Sequence, residues 1–147
     1  MSYRLPNSFS SHQQVEALLM STQQLKTTDY TTPQNWPENV QEFAQVNTLR
    51  EMTPAINTKL VSFLKSVLVS SPQLSLVMAS MPTGDEITEL TGWFRSHVHP
   101  QAVLHIAQNS DLIAGCILRT DSSVYDLSLR TSLFDNSHKL AERLQHA

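Results

Sequence analysis

The sequence predicts an α+β fold, with a short N-terminal helical bundle followed by a small β-α-β-β-α domain. Three observations predict it. Apolar residues in the first half recur at the helical period of 3.6. Beyond Ser70-Ser71-Pro72 the pattern changes to short apolar runs bounded by turn residues. Charge divides at the same place: of 10 basic and 13 acidic residues, positions 1–73 hold five of each, so the net charge of −3 belongs to the remainder. With 147 residues the chain is one domain or two very small ones. The reading adopted is a helical N-terminal domain over 1–73, a reduced bundle, and an α+β domain over 74–147.

The elements follow in order. Ser10 or Ser11 caps a first helix whose stripe is Val15, Leu18, Leu19 and Leu25. Thr27 to Pro33 is a loop by composition. Asn35 is the expected N-cap of a second helix, with Pro37 in its first turn and Glu38 completing a capping box. Its stripe is Val40, Phe43, Ala44 and Leu49. Thr53-Pro54 opens a third helix with Ile56, Leu60, Phe63, Leu64, Val67 and Leu68 on one face, widened by Val61 and Val69. This is the most apolar helix and the expected centre of the bundle. Residues 74–79 then read as a strand. Thr83-Gly84-Asp85-Glu86 starts a helix with Ile87, Leu90, Phe94 and Val98 on one face and Trp93 beside them. Residues 102–107 read as a strand, and 113–119 with 124–129 as a hairpin. A last helix carries Leu133, Leu140, Ala141 and Leu144, with Lys139 and Arg143 placed to favour its C-terminal dipole.

Composition excludes several functions. The three glycines, Gly84, Gly92 and Gly115, are too few and too scattered for a P-loop or a dinucleotide-binding turn. A net charge of −3 is a poor electrostatic footprint for nucleic acid. One cysteine rules out a disulfide framework or a thiolate cluster and points to a reducing compartment. The first residues carry no apolar run of the signal-peptide kind. The longest apolar stretch, Leu60 to Val69, is broken by Lys65 and is too short to span a membrane. The chain is expected to be soluble and cytoplasmic.

A search for chemistry yields no catalytic, cofactor-binding or metal-binding residue. His97, His99 and His105 lack a carboxylate or thiol at ligand spacing and read as polar surface residues. Ser62 and Lys65 match Ser-x-x-Lys, but the companion motifs of that enzyme class are missing. Cys116 lies in an apolar strand, which is the wrong setting for a thiolate nucleophile. Asp121 and Asp126 are spaced to point to opposite faces of the chain. A binding or scaffold role is favoured, with no cofactor and no small-molecule ligand.

The most informative segment runs from Asn109-Ser110-Asp111-Leu112-Ile113-Ala114-Gly115 through Val124-Tyr125-Asp126-Leu127-Ser128-Leu129-Arg130 to Leu133. Read physically, Gly115 lets the chain enter a strand where a side chain would collide. Asp126 and Ser128, two apart, share a strand face and can satisfy backbone donors. Arg130 can pair with an acid or cap a carbonyl. This segment resembles the C-terminal signature of the F-type ATP synthase delta subunit, the oligomycin sensitivity-conferring protein family. That pattern is an acid, two variable residues, Leu-Ile-Gly-Gly, an apolar strand, then Asp-x-Ser-apolar-Arg and a Leu-containing helix. Asn109 stands at the acid, Leu112 and Ile113 match, Ala114 replaces the first Gly and Gly115 matches the second. Asp126, Ser128, Leu129, Arg130 and Leu133 match in register, whereas Ser132 departs from the pattern. The resemblance covers roughly residues 74–144.

The resemblance implies a non-catalytic stator subunit. Such a subunit ties the N-termini of the alpha subunits to the C-terminal helices of the b subunits in the peripheral stalk. It works on the cytoplasmic side of the cell membrane, peripheral to it through the complex, and resists rotor torque. Residues 1–73 show fewer helices than the family's bundle. Trp93, beside the main stripe of its helix, and Leu140 and Leu144, near a fraying terminus, are the candidate partner-binding residues. The alternatives are an unrelated α+β interaction adaptor or the stalk subunit of a V/A-type ATPase. The latter normally needs a long heptad helix that this sequence does not show.

Overall fold

The computed structural model describes residues 3–129. The predicted last helix, with Arg130, Leu133, Leu140 and Leu144, lies outside the described residues. Among the described residues four α-helices and a four-stranded mixed sheet make an α+β protein, with the helices of the first half preceding the strands.

Helix α1 spans His12–Gln24. Ser11 caps it: its side chain accepts from the Gln14 backbone N–H, and the Gln14 side chain accepts from the Ser11 N–H at 3.0 Å. This reciprocal capping box satisfies two donors that a helix start leaves open. Val15, Leu18 and Thr22 are its buried positions. Thr22 is accommodated there because its hydroxyl donates to the Leu18 carbonyl at 2.7 Å. Two 3-10 turns, Thr27–Asp29 and Pro33–Asn35, follow.

Helix α2 spans Glu38–Val46 and starts differently from the expectation. Asn35 ends a 3-10 turn, Pro37 occupies the cap position and no side chain caps the helix. The cause is Trp36. Its ring is buried and its Nε1–H donates to the Asp29 carbonyl at 2.7 Å. Its backbone is extended, as a residue before proline prefers, so Asn35 stands too far back to cap. Val40, Phe43 and Ala44 are buried as predicted. The helix ends on Thr48, whose φ of 54° lies in the left-handed region. Leu49 N–H then closes onto the Ala44 carbonyl at 2.8 Å.

Helix α3 spans Pro54–Ser70, capped by the Thr53 hydroxyl on the Ile56 N–H. Leu60, Leu64 and Val67 are fully buried, but Val69 is 87% exposed, so it does not widen the stripe. It lies two positions from Val67, about 200° around the helix. Helix α1 packs on α3 and on α2. Their shared core takes in Phe43, Leu18, Leu60, Leu64, Val15 and Val40. Each such side chain contributes about 1.5–3 kcal/mol on burial.

Strand β1 is Gln73–Met78, helix α4 Gly84–His97 and strand β2 Val103–Gln108. Strands β3 (Gly115–Arg119) and β4 (Val124–Ser128) form the predicted hairpin. The order after α3 within the described residues is therefore β-α-β-β-β, one strand more than the β-α-β-β-α order expected from the sequence. In the sheet the order is β2-β1-β3-β4, with β1 antiparallel to β3 and β3 antiparallel to β4. On α4 the buried residues are Thr91 and Phe94, while Val98 is exposed rather than part of the inner face.

The chain gathers into two compact units. Among the described residues, the first combines those up to Pro72 with Gly84–Leu104; the second combines Gln73–Thr83 with those from His105 to Leu129. The sequence-based domains share the border near Pro72, and the units differ from them in grouping α4 with the N-terminal helices.

Candidate protein-interaction site

The β3–β4 hairpin and the residues flanking it hold seven of the singled-out residues, Asn109, Leu112, Ile113, Gly115, Asp126, Ser128 and Leu129, and most have an identifiable local task. Asn109 is tied to β1: its N–H donates to the Met78 carbonyl at 2.8 Å. Its side-chain oxygen accepts from the Asp111 N–H at 2.9 Å, which makes an Asx turn. Leu112 follows, buried, with its N–H on the Asn109 carbonyl. Gly115 has φ of +86°. A Cβ there would strike the Leu127 carbonyl oxygen and come within 2.9 Å of the Ser128 Cα. Only glycine combines that dihedral with so close a strand.

Gly115 is paired with Ser128, Cys116 with Leu127, Ile117 with Asp126 and Leu118 with Tyr125. The Asp126 carboxylate accepts from the Ser128 N–H at 2.9 Å, and Ser128 is buried. Leu129 N–H reaches back to the Ala114 carbonyl at 2.9 Å, closing the mouth of the hairpin. Asn109, Leu112, Gly115, Asp126 and Ser128 thus fix the local fold.

Directly opposed residues share a sheet face. One face carries Leu76 and Met78 of β1, Cys116 and Leu118 of β3, and Tyr125 and Leu127 of β4. Along this row burial falls toward the edge: Leu76 is buried, Leu118 half-buried and Tyr125 exposed. Leu127 and Ile113 are each 65% exposed, and Leu129 is also exposed. Among the described residues an apolar patch therefore lies along β4 and the residues beside its open end. Contiguous exposed apolar residues of this kind mark interaction surfaces. The sequence singles out Ile113 and Leu129 only as signature positions, and Tyr125 and Leu127 are not singled out at all. The available signal was the alternation Tyr125-Asp126-Leu127-Ser128, which places two large apolar side chains on one face of β4.

Trp93, the other described candidate, is 53% exposed on α4 in the first unit. Its indole stacks on the His97 imidazole with centroids 4.7 Å apart and meets Phe94 edge-on at 5.2 Å. Leu140 and Leu144 lie outside the described residues, as do Arg130 and Leu133.

Of the remaining polar candidates, His97, His99 and Ser62 are engaged locally. His97 Nδ1 lies 2.9 Å from the Trp93 carbonyl, and His99 Nδ1 accepts from the Gln101 N–H. Among the described residues no group of three His, Cys, Asp or Glu is placed to hold a metal ion. Ser62 donates to the Thr58 carbonyl at 2.9 Å on the exposed side of α3. Cys116 is half-buried in β3. Asp121 stands in the turn between the hairpin strands, while Asp126 lies within β4. In the first unit an open groove of about 380 Å³ is lined by Pro33, Trp36, Gln41, Leu49 and Arg50 among others, and holds no paired acid and base. No described helix is long and apolar enough to cross a membrane. No family model matches this chain, and no curated protein matches it either.

Proposed function

We propose that the chain is a non-catalytic stator subunit of an F-type ATP synthase, joining the catalytic head to the b-subunit peripheral stalk. The observation that carries this reading is the hairpin. Gly115 is held at positive φ against the β4 backbone, paired with Ser128, and Asp126 and Ser128 are among the positions that carry the sequence resemblance. A stator resists torque by static contact, so it needs a stiff small domain and a surface for partner helices rather than a reacting group. The apolar patch of Ile113, Tyr125, Leu127 and Leu129 supplies such a surface for one amphipathic helix. On this reading residues 1–73 contact the N-termini of the alpha subunits. The protein then lies on the cytoplasmic side of the cell membrane, held there through the complex.

The test is co-purification with the alpha and b subunits, followed by titration onto the folded chain of a peptide spanning the last helix of the b protein. Saturable binding is expected. A folded chain that retains neither subunit and does not bind the peptide rejects the proposal. The exposed Tyr125 and Leu127 would equally suit a second reading, an α+β interaction adaptor outside that family. Such an adaptor would bind a helical partner while ignoring both ATP synthase subunits.

A further inference from the structure

Residues 3–10 have no helix or strand, yet they are held on two sides within the first unit. On one side they enter the core of α1–α3. The Tyr3 ring packs on Phe43 and Phe63 with centroids 5.8 and 5.7 Å away. Leu5 and Phe9 are buried in the same apolar cluster. Arg4 N–H donates to Asn47 Oδ1 at 2.8 Å, Asn47 Nδ2–H donates back to the Arg4 carbonyl, and the Ser8 hydroxyl donates to Glu42.

On the other side stands Arg95 of α4. Its Nη1 donates to the carbonyls of Leu5, at 3.2 Å, and Pro6, at 2.6 Å. Its Nη2 donates to the Phe9 carbonyl at 2.6 Å and its Nε to the Ala102 carbonyl at 3.2 Å. Three of these four acceptors belong to the segment. Gly92, one turn earlier on α4, lies against Asn7: a Cβ there would come within 2.8 Å of Asn7 Nδ2. Beyond Arg95, Leu104 N–H donates to the Ser10 carbonyl at 2.7 Å. Direct contact of α4 with α1, α2 and α3 is slight by comparison with the packing of α1 on α3.

We infer that residues 3–10 form a strap that fastens α4 to the α1–α3 core, with Arg95 as the positioning residue that holds it. When the strap lets go, α4 loosens while α1 and α3 stay packed. The inference does not depend on the stator reading.

The chemistry of the hold is specific. Burial pushes the Arg95 guanidinium down to about 10, below its ordinary value, so it remains charged at neutral pH. A charge withdrawn from water needs its hydrogen bonds met, and here backbone carbonyls meet them. The planar fork reaches acceptors in several directions from one side chain. A lysine ammonium, one point charge on a flexible stem, reproduces the charge but not the fork.

Amide hydrogen exchange on the full chain tests this, comparing wild type with Arg95→Met and Arg95→Lys. In Arg95→Met the amides of Phe9, Leu104 and buried α4 positions Thr91 and Phe94 are expected to exchange at least about tenfold faster, while those of α1 and α3 keep wild-type rates. Arg95→Lys gives a smaller change in the same places. The inference is overturned if α4 keeps wild-type protection in a folded variant, or if α1, α3 and α4 speed up together. Should Arg95→Met fail to fold, the same pattern in Arg95→Lys decides the matter.

Discussion

The first unit and the hairpin of the second place their apolar residues in opposite ways. Around α1, α2 and α3, large side chains such as Leu18, Phe43, Leu60 and Leu64 are fully buried. Even the irregular segment before α1 contributes Leu5 and Phe9 to that core. In the hairpin, Ile113, Val124, Tyr125, Leu127 and Leu129 all stay exposed, although their sequence is no less apolar. A stretch of apolar residues is therefore not by itself a core. In the helices the stripe decides burial, and in the hairpin backbone constraints at Gly115 and Ser128 hold the strands while the apolar side chains face outward.

The strongest way to break this contrast is to hollow the helical core. Phe43→Ala removes a fully buried ring that also meets Tyr3 and Phe63. A cost of about 3–5 kcal/mol is expected, read as a lower urea midpoint. A cost below about 1 kcal/mol would mean that the site collapses freely and is not the packed core described. Gly115→Ala acts on the other region. Its positive φ and the nearby β4 backbone predict a loss of about 1–3 kcal/mol from backbone strain. The loss is expected as faster exchange of the β3–β4 amides. If those amides keep their protection, the glycine is not the constraint on the hairpin.

How much of this was legible beforehand depended on whether a residue acts through a period or through a distant partner. The stripes of α1 and α3 were readable because burial there repeats at 3.6 residues. Thr53 was readable because a cap works within its own turn. The start of α2 was misread because Asn35-Trp36-Pro37-Glu38 satisfies the local rule for a capping box, while the buried Trp36 ring and its bond to the Asp29 carbonyl override it. The strap was invisible for the same physical reason. Its carbonyls are met by an arginine about 90 residues away, and no spacing in residues 3–10 announces that. At the hairpin the signature residues were visible. Their division into fold-fixing groups and outward apolar ones was not, because exposure at a sheet edge depends on where the neighbouring strand ends.

A smaller effect sharpens the helical side. Thr48 is an exposed β-branched residue at φ 54°, a region that costs most side chains about 1–2 kcal/mol. Thr48→Gly relieves that strain at the end of α2, although the freer glycine also stabilises the unfolded chain. A net gain of about 0.5–1 kcal/mol is expected in thermal unfolding, and a loss would show that the Thr48 side chain matters more than its backbone.

The smallest effect on stability discriminates best between the two regions. Leu127→Ser and Tyr125→Ser alter side chains that are mostly in water, so each is expected to change stability by no more than about 0.5 kcal/mol. The same change made at Leu64 in the helical core is expected to cost several times more. If the outward apolar residues serve a partner helix, the two serine variants will keep the wild-type melting temperature while weakening binding of the b-helix peptide about tenfold or more, since a few apolar anchors carry most of an interface's energy. Variants that bind as well as wild type would move the partner site away from β4. Variants that melt much earlier would show that Tyr125 and Leu127 belong to the packing of the hairpin itself, and the contrast between a closed helical core and an outward-facing sheet edge would then fail.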